Sequence, residues 1–221
     1  YKPKDSYRMR GAGGRKSLTA GTNLPNGVII HYFLPNYNDQ SDEVNLSIHS
    51  SDGELIKEFS DKSKENSIKV KKGGNSFVWD MKYPGAKRLD NMVLWGADFS
   101  GAKTVPGDYI VKLSVNDSEL TQDFTIHKDP TSEGSIEDIK AQFEFVNEIN
   151  DVVNEAHNAI ENIRKIKKDL TKFQSDYAAN ESAKNLINES KLILESIDLI
   201  ENELYQTKNK SNQEPLNYGV K

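Results

Sequence analysis

The sequence predicts a two-part fold: an all-β antiparallel sandwich of two sheets, followed by a long antiparallel α-helical hairpin. Three observations predict it. Apolar residues alternate with polar ones through residues 25–128, as in Val44, Leu46, Ile48 and in Tyr109, Val111, Leu113, Val115. Such period-two patterning gives a strand one buried and one wet face. After Pro130 the spacing changes to threes and fours: Ile139, Phe143, Val146, Ile149, Val153, Ala156, Ile160, Ile163, Leu170. That is the spacing of one helical face. Turn residues punctuate only the first part, at Asp52-Gly53, Gly73-Gly74, Pro106-Gly107 and Asn116-Asp117-Ser118.

Residues 1–24 are Gly-rich and basic, with Lys2, Lys4, Arg8, Arg10, Arg15 and Lys16 around Gly11, Gly13 and Gly14. They show no periodicity and read as a linker from an upstream domain. A phosphate-cradling glycine loop needs a strand before it and a helix after it, and the pattern offers neither. Strands are expected at 27–34, 43–50, 54–60, 67–71, 75–82, 91–95, 108–115 and 119–127. Seven or eight short antiparallel strands in about 100 residues favour a two-sheet sandwich.

Pro130 has no N–H to donate and closes the last strand's run. Ser135 with Glu137 and Asp138 has the form of an N-cap followed by first-turn acids. The helical region spans 129–209, with helices over about 135–173 and 181–206 joined by a turn at 174–180. The second helix is patterned on Leu186, Ile193, Ile197, Ile200 and Leu204, and the two share a coiled-coil-like seam. At 1.5 Å per residue the first helix is roughly 57 Å long, whereas a six-residue strand spans about 20 Å. The hairpin therefore projects beyond the sandwich or lies along another domain. Residues 210–221 form a polar tail that reads as cut short before a further helix.

The helices carry more apolar surface than one seam consumes. Phe145, Val152 and Ile166 lie off the first stripe, and Leu192, Leu194 and Leu199 lie off the second. Either a third element covers them or the sandwich does so near the helix roots. These six residues form the candidate interaction surface. Lys167 interrupts the first stripe; its stem is expected to pack while its ammonium reaches water.

Composition excludes several classes. The chain has 221 residues with a formal charge of −5, 35% hydrophobic and 29% charged residues. No run approaches the ~20 apolar residues of a membrane helix, and no basic excess favours nucleic acid. The absence of cysteine excludes disulfides, thiolate catalysis and Cys-based metal sites. The chain starts at Tyr1 without Met or a signal peptide and so reads as part of a longer or processed protein.

The search for chemistry yields little. His31, His49 and His127 fall on or near strands and His157 on a helix, none with metal-ligand spacing. No G-x-S-x-G elbow occurs. Asp80, Asp90, Asp98 and Asp108 are candidate carboxylates by type, read as turn caps accepting backbone N–H bonds. No cofactor and no metal site is expected. Aromatics are the best ligand candidates, because flat exposed rings stack on sugars. Trp95, Tyr83 and Phe99 form the candidate carbohydrate platform, whereas Trp79 and Tyr109 are assigned to the core, Tyr109 with its hydroxyl directed at a loop carbonyl.

Two segments carry a family resemblance. Residues 75–84, with Asn75, Phe77, Val78, Trp79, Asp80 and Tyr83, and residues 105–113, with Pro106, Gly107, Tyr109, Val111 and Leu113, resemble strands of the Ig-like domain of flagellar hook-capping proteins. They resemble still more the accessory region after the β-propeller of secreted sortilin-like, BNR-repeat proteins of Bacteroidetes, often labelled glycosyl hydrolases. The segments 23–32, Lys128-Asp129-Pro130 and 214–218 fit the same pattern. The resemblance implies an Ig-like or fibronectin-like sandwich, a periplasmic, cell-surface or secreted location, and a propeller in the same parent chain as partner. It carries no active-site residue onto this sequence. The expected function is a non-catalytic structural and interaction module, with the sandwich as spacer and the helices as a docking or self-association element. The alternative is a carbohydrate-binding module that uses the loop aromatics.

Overall fold

The computed structural model describes residues 1–9, 19, 24–93 and 98–205. The strands are β1 (Ser6–Arg8), β2 (Val28–Leu34), β3 (Val44–Ser50), β4 (Leu55–Ser60), β5 (Gly73–Trp79), β6 (Gly107–Val115) and β7 (Ser118–Lys128). Helix α1 (Ile136–Asp176) and, after a 3₁₀ turn at Glu181–Ala183, helix α2 (Lys184–Leu204) complete the chain. It is a strand-rich region followed by helices. The chain divides into two compact units: Tyr1–Pro84 with Ser100–Asn147, and Gly85–Phe99 with Glu148–Lys221. The sequence reading has its boundary at 128/129; the compact units divide inside α1, and the described residues of 85–99 fall in the second.

In the first unit, β1-β7-β6-β3-β4 form one sheet and β2-β5 a second. β2 alternates strictly, burying Val28, Ile30, Tyr32 and Leu34. β3 does the same with Val44, Leu46 and Ile48, and these pair in register with Val115, Leu113 and Val111 of β6. Both sheets contribute to one buried cluster centred on Trp79, Phe124, Leu46, Ile48 and Ile126. The Trp79 ring meets Tyr109 and Phe124 edge-on, with centroids 6.1 and 6.3 Å away, a favoured arrangement of ring quadrupoles. Trp79 is fully buried, as its parity with Phe77 predicts, and its Nε1 donates to the Lys82 carbonyl at 3.3 Å.

The Tyr109 hydroxyl donates to the Val105 carbonyl at 2.6 Å and accepts from Thr104 Oγ1 at 2.5 Å. This agrees with the expected reach to a loop carbonyl. The chain is drawn in closely at Gly101, where a Cβ would stand 2.0 Å from the Tyr83 carbonyl oxygen. Only glycine permits that approach.

Four expectations need correction. Ser6–Arg8, read as linker, is a strand that pairs parallel with Ile126–Lys128, so the sheet is not wholly antiparallel. Residues 67–71 are not a strand: Ser67 makes an isolated bridge to Ser60, and Ile68 is buried without ladder pairing. Residues 91–93 are turn and coil, and 94–95 lie outside the described residues. α1 runs to Asp176, and residues 181–183 form a 3₁₀ turn ahead of α2.

α1 begins as the sequence indicates. Ser135 Oγ accepts the Asp138 N–H at 3.0 Å, and the Asp138 carboxylate accepts the Ser135 N–H at 2.8 Å. Two otherwise orphaned donors are satisfied reciprocally. From there 41 residues continue without Gly or Pro, about 60 Å of helix.

Candidate functional site

The second unit holds the helical candidates except Phe145, which belongs to the first. Contacts between α1 and α2 run in opposite directions along the two helices. Gln174 donates to Ser190 at 2.8 Å, and further along Arg164 and Lys167 each reach Glu201 at 2.8 Å. Lys167 also pairs with Asp198. Its side chain keeps partial access to water, as expected, but its ammonium is paired there with two carboxylates. Glu201 is 6% exposed. Burial alone would raise its pKa; hydrogen bonds from Lys167 and Arg164 outweigh this and hold it below the ordinary value.

This contact rotates α2 away from the expected seam. The inward positions are Ala183, Ile187, Ser190, Leu194, Ile197 and Glu201, all buried or half-buried. Leu186, Ile193, Ile200 and Leu204, expected in the seam, are exposed. The physical reason is that Glu201 and Ser190 occupy seam positions because their polar atoms find partners on α1. Of the six candidate surface residues, Phe145, Val152, Ile166, Leu192 and Leu199 are exposed, at 45–70%. Leu194 is half-buried on the inward side.

Residues 85–93 are held to α1 by polar contacts the sequence did not suggest. The Lys87 N–H donates to Asn154 Oδ1 at 2.7 Å, its ammonium meets Glu161 at 2.5 Å, and its carbonyl accepts from His157 Nδ1 at 2.5 Å. A carbonyl can only accept, so the proton lies on Nδ1. His157, Ala86 and Leu89 are buried.

The aromatic platform divides. Trp95 lies outside the described residues. Tyr83, in the first unit, is half-buried with its ring 4.8 Å from that of Phe143 at 70°, and burial pushes its hydroxyl pKa up to about 12. Phe99, in the second unit, packs against His157 at 5.9 Å with the Arg88 guanidinium 5.5 Å from its centroid.

Two open grooves lie in the first unit. One, about 650 Å³, runs along β2 and β5 past His31, Phe33, Lys69 and Lys71, and its lining has no carboxylate. The other, about 760 Å³, gathers Arg8, Lys82 and Lys103 with Asp80 and Asp129. Its carboxylates are occupied locally. Asp80 accepts the Lys82 N–H at 3.1 Å, the turn role its sequence position predicts, and Asp129 accepts the N–H and hydroxyl of Thr131. Asp108 accepts instead across the sheet, from Thr125 Oγ1 at 2.6 Å. Among the described residues no group of three or more His, Asp or Glu stands ready to hold a metal ion. No helix of the described residues is long and apolar enough to cross a membrane.

The chain matches no protein-family model, no curated protein and no solved structure.

Proposed function

We propose that this chain is a non-catalytic interaction module: an Ig-like sandwich that serves as a spacer, carrying a helical hairpin that docks on another protein surface. One observation carries the reading. The second unit presents a row of exposed apolar side chains on helices whose inward contacts are already made, Ile166 on α1 and Leu186, Ile193, Ile200 and Leu204 on α2. Single exposed apolar residues need no explanation, but a contiguous set marks an interaction site. The Tyr109–Val105 hydrogen bond supports the Ig-like reading, since such domains tie a strand-edge tyrosine to backbone a few residues upstream. In the proposal's fuller form, the parent is an exported propeller protein of the sortilin-like, BNR-repeat kind, and the docking surface belongs to its propeller or to another subunit. The carbohydrate alternative has no comparable support, because Tyr83 and Phe99 each lose ring surface to another ring.

The test is sedimentation of the purified chain together with apolar-dye fluorescence. Self-association or bright dye binding is expected, reduced by Ile193→Asn while helicity is retained. A strictly monomeric protein that binds no dye at micromolar concentration overturns the proposal.

A further inference from the structure

We propose that the docking face is a seat for one amphipathic helix whose apolar stripe is flanked by lysine or arginine. The inference rests on the docking reading above and names the partner's chemistry. It follows from the register of the two helices. Gln174 meets Ser190, and Arg164 and Lys167 meet Glu201. The pairing fixes which row of each helix looks at the other. At about 100° per residue, Ile166, Phe173 and Tyr177 lie a quarter turn from the inward row of α1. Leu186, Ile193, Ile200 and Leu204 lie a quarter turn, in the same rotational sense, from the inward row of α2.

In an antiparallel pair, equal rotations open toward the same side. The two rows therefore form one face, with Ile166 beside Ile200 and Phe173 beside Ile193. Ile166, Tyr177 and the four α2 residues are 45–56% exposed, and Phe173 is half-buried. The opposite side carries Lys168, Thr171 and Ser175 of α1 with Lys191 and Glu195 of α2, and is polar. Of these two sides only the first is apolar; Leu192 and Leu199 lie on the back of α2, turned away from α1.

The rims decide which neighbour. Flanking the apolar face are Glu189 and Glu203 on α2, with no lysine or arginine on that rim, and Asp169 and Asp176 on α1, which alternate with Lys165 and Lys172 farther out. None of the four forms an ion pair with a described residue. A second copy placed face to face doubles this excess of carboxylates over cations, and like charges across an interface are costly. An anionic lipid surface meets the same repulsion. A helix with basic flanks answers that excess, above all along the α2 rim, with apolar contact beside it, the helix-in-groove mode of recognition.

The test uses two synthetic 21-residue helical peptides, matched in length to α2. They share one leucine stripe, flanked by lysine in one and by glutamate in the other. Fluorescence anisotropy with the full chain is expected to give saturable binding of the lysine peptide, at least about 10-fold tighter than the glutamate peptide. Asp169→Lys, Asp176→Lys, Glu189→Lys and Glu203→Lys together reverse the preference. Glu195→Lys, on the polar side, leaves it unchanged, and Ile193→Asn abolishes binding of both peptides with helicity retained. If the fourfold variant fails to fold, the pair Glu189→Lys and Glu203→Lys must shift the preference in the same direction. Equal binding of the two peptides, no binding of either, or a wild-type homodimer that Ile193→Asn dissociates overturns the inference. Dye binding lost in Ile193→Asn but with no peptide preference defeats this inference alone. Absence of both dye binding and association defeats the docking reading beneath it.

Discussion

Arg164 donates its Nε–H to the buried carboxylate of Glu201 at 2.8 Å, joining α1 to α2 at a position where helical patterning calls for an apolar residue. Removing the acid leaves Arg164 without its counter-charge and Lys167 with Asp198 alone. Because both cations keep partial access to water, Glu201→Ala is expected to destabilise the helical unit by about 1–3 kcal/mol, below the range for a fully buried pair. The pair also has a pH signature. Glu201's folded pKa lies below its ordinary 4.5. Its contribution is therefore fully present above that value and is lost as pH falls through the lower, folded one. Urea unfolding followed by helicity from about pH 6 to about pH 3 should show a steeper acid loss in wild type than in Glu201→Gln. Parallel curves refute the assignment.

Tyr109→Phe removes one hydroxyl and strands two partners. Thr104, fully buried, loses the acceptor for its Oγ1 hydrogen, and the Val105 carbonyl loses its donor. A cost of about 1–3 kcal/mol is expected from the unsatisfied groups. Thermal unfolding measures it, and an unchanged Tm shows that water replaces the hydroxyl.

Gly101→Ala places a methyl carbon within 2.0 Å of the Tyr83 carbonyl oxygen. The backbone must move, at an overpacking cost of about 1–3 kcal/mol. Because Tyr83 packs on Phe143, the near-ultraviolet circular dichroism of these rings should change as well. A variant of wild-type stability contradicts the close approach.

The chain has two tryptophans, so Trp95→Phe leaves Trp79 as the sole reporter. Trp79 is fully buried among Tyr109 and Phe124. Its emission should be blue-shifted and resist acrylamide. Free quenching disproves the placement, and the difference from wild type isolates Trp95.

The 85–93 strap offers a local test. His157→Ala and Asn154→Ala each delete one tether to Lys87. Amide exchange is expected to rise in Lys87–Leu89 with little change in β3 or β6, as local opening is separable from global unfolding. Uniform exchange increases across both units refute this separation.

Much of the β-region was legible because its strands alternate. Val44-Leu46-Ile48 and the even-numbered residues of β2 announce a buried face without any tertiary information. β1 was not, since three residues give no period, and it is specified by pairing with a strand far along the chain. Ile68 misled in the other direction: an apolar residue can fill a core from a loop. The α2 seam was misread by about a quarter turn because periodicity counts apolar residues. It does not foresee that Glu201 and Ser190 are acceptable inside when Arg164 and Gln174 stand opposite. The candidate face was therefore legible as a surplus of leucine and isoleucine, but not as a particular row. The hold of His157 on Lys87 has no sequence signal, since it rests on a backbone carbonyl.

The pairing of β1 with the end of β7 has a consequence in time. Asp5 and Thr125, in contact beside it, lie 120 residues apart. Closing a loop of that size costs entropy before any contact rewards it, and during synthesis the partner strand does not yet exist when Ser6–Arg8 leaves the ribosome. Ser6–Arg8 must therefore wait, without its partner strand, until nearly all of the sheet has been made. During synthesis that pairing completes the five-stranded sheet after its other strands are made.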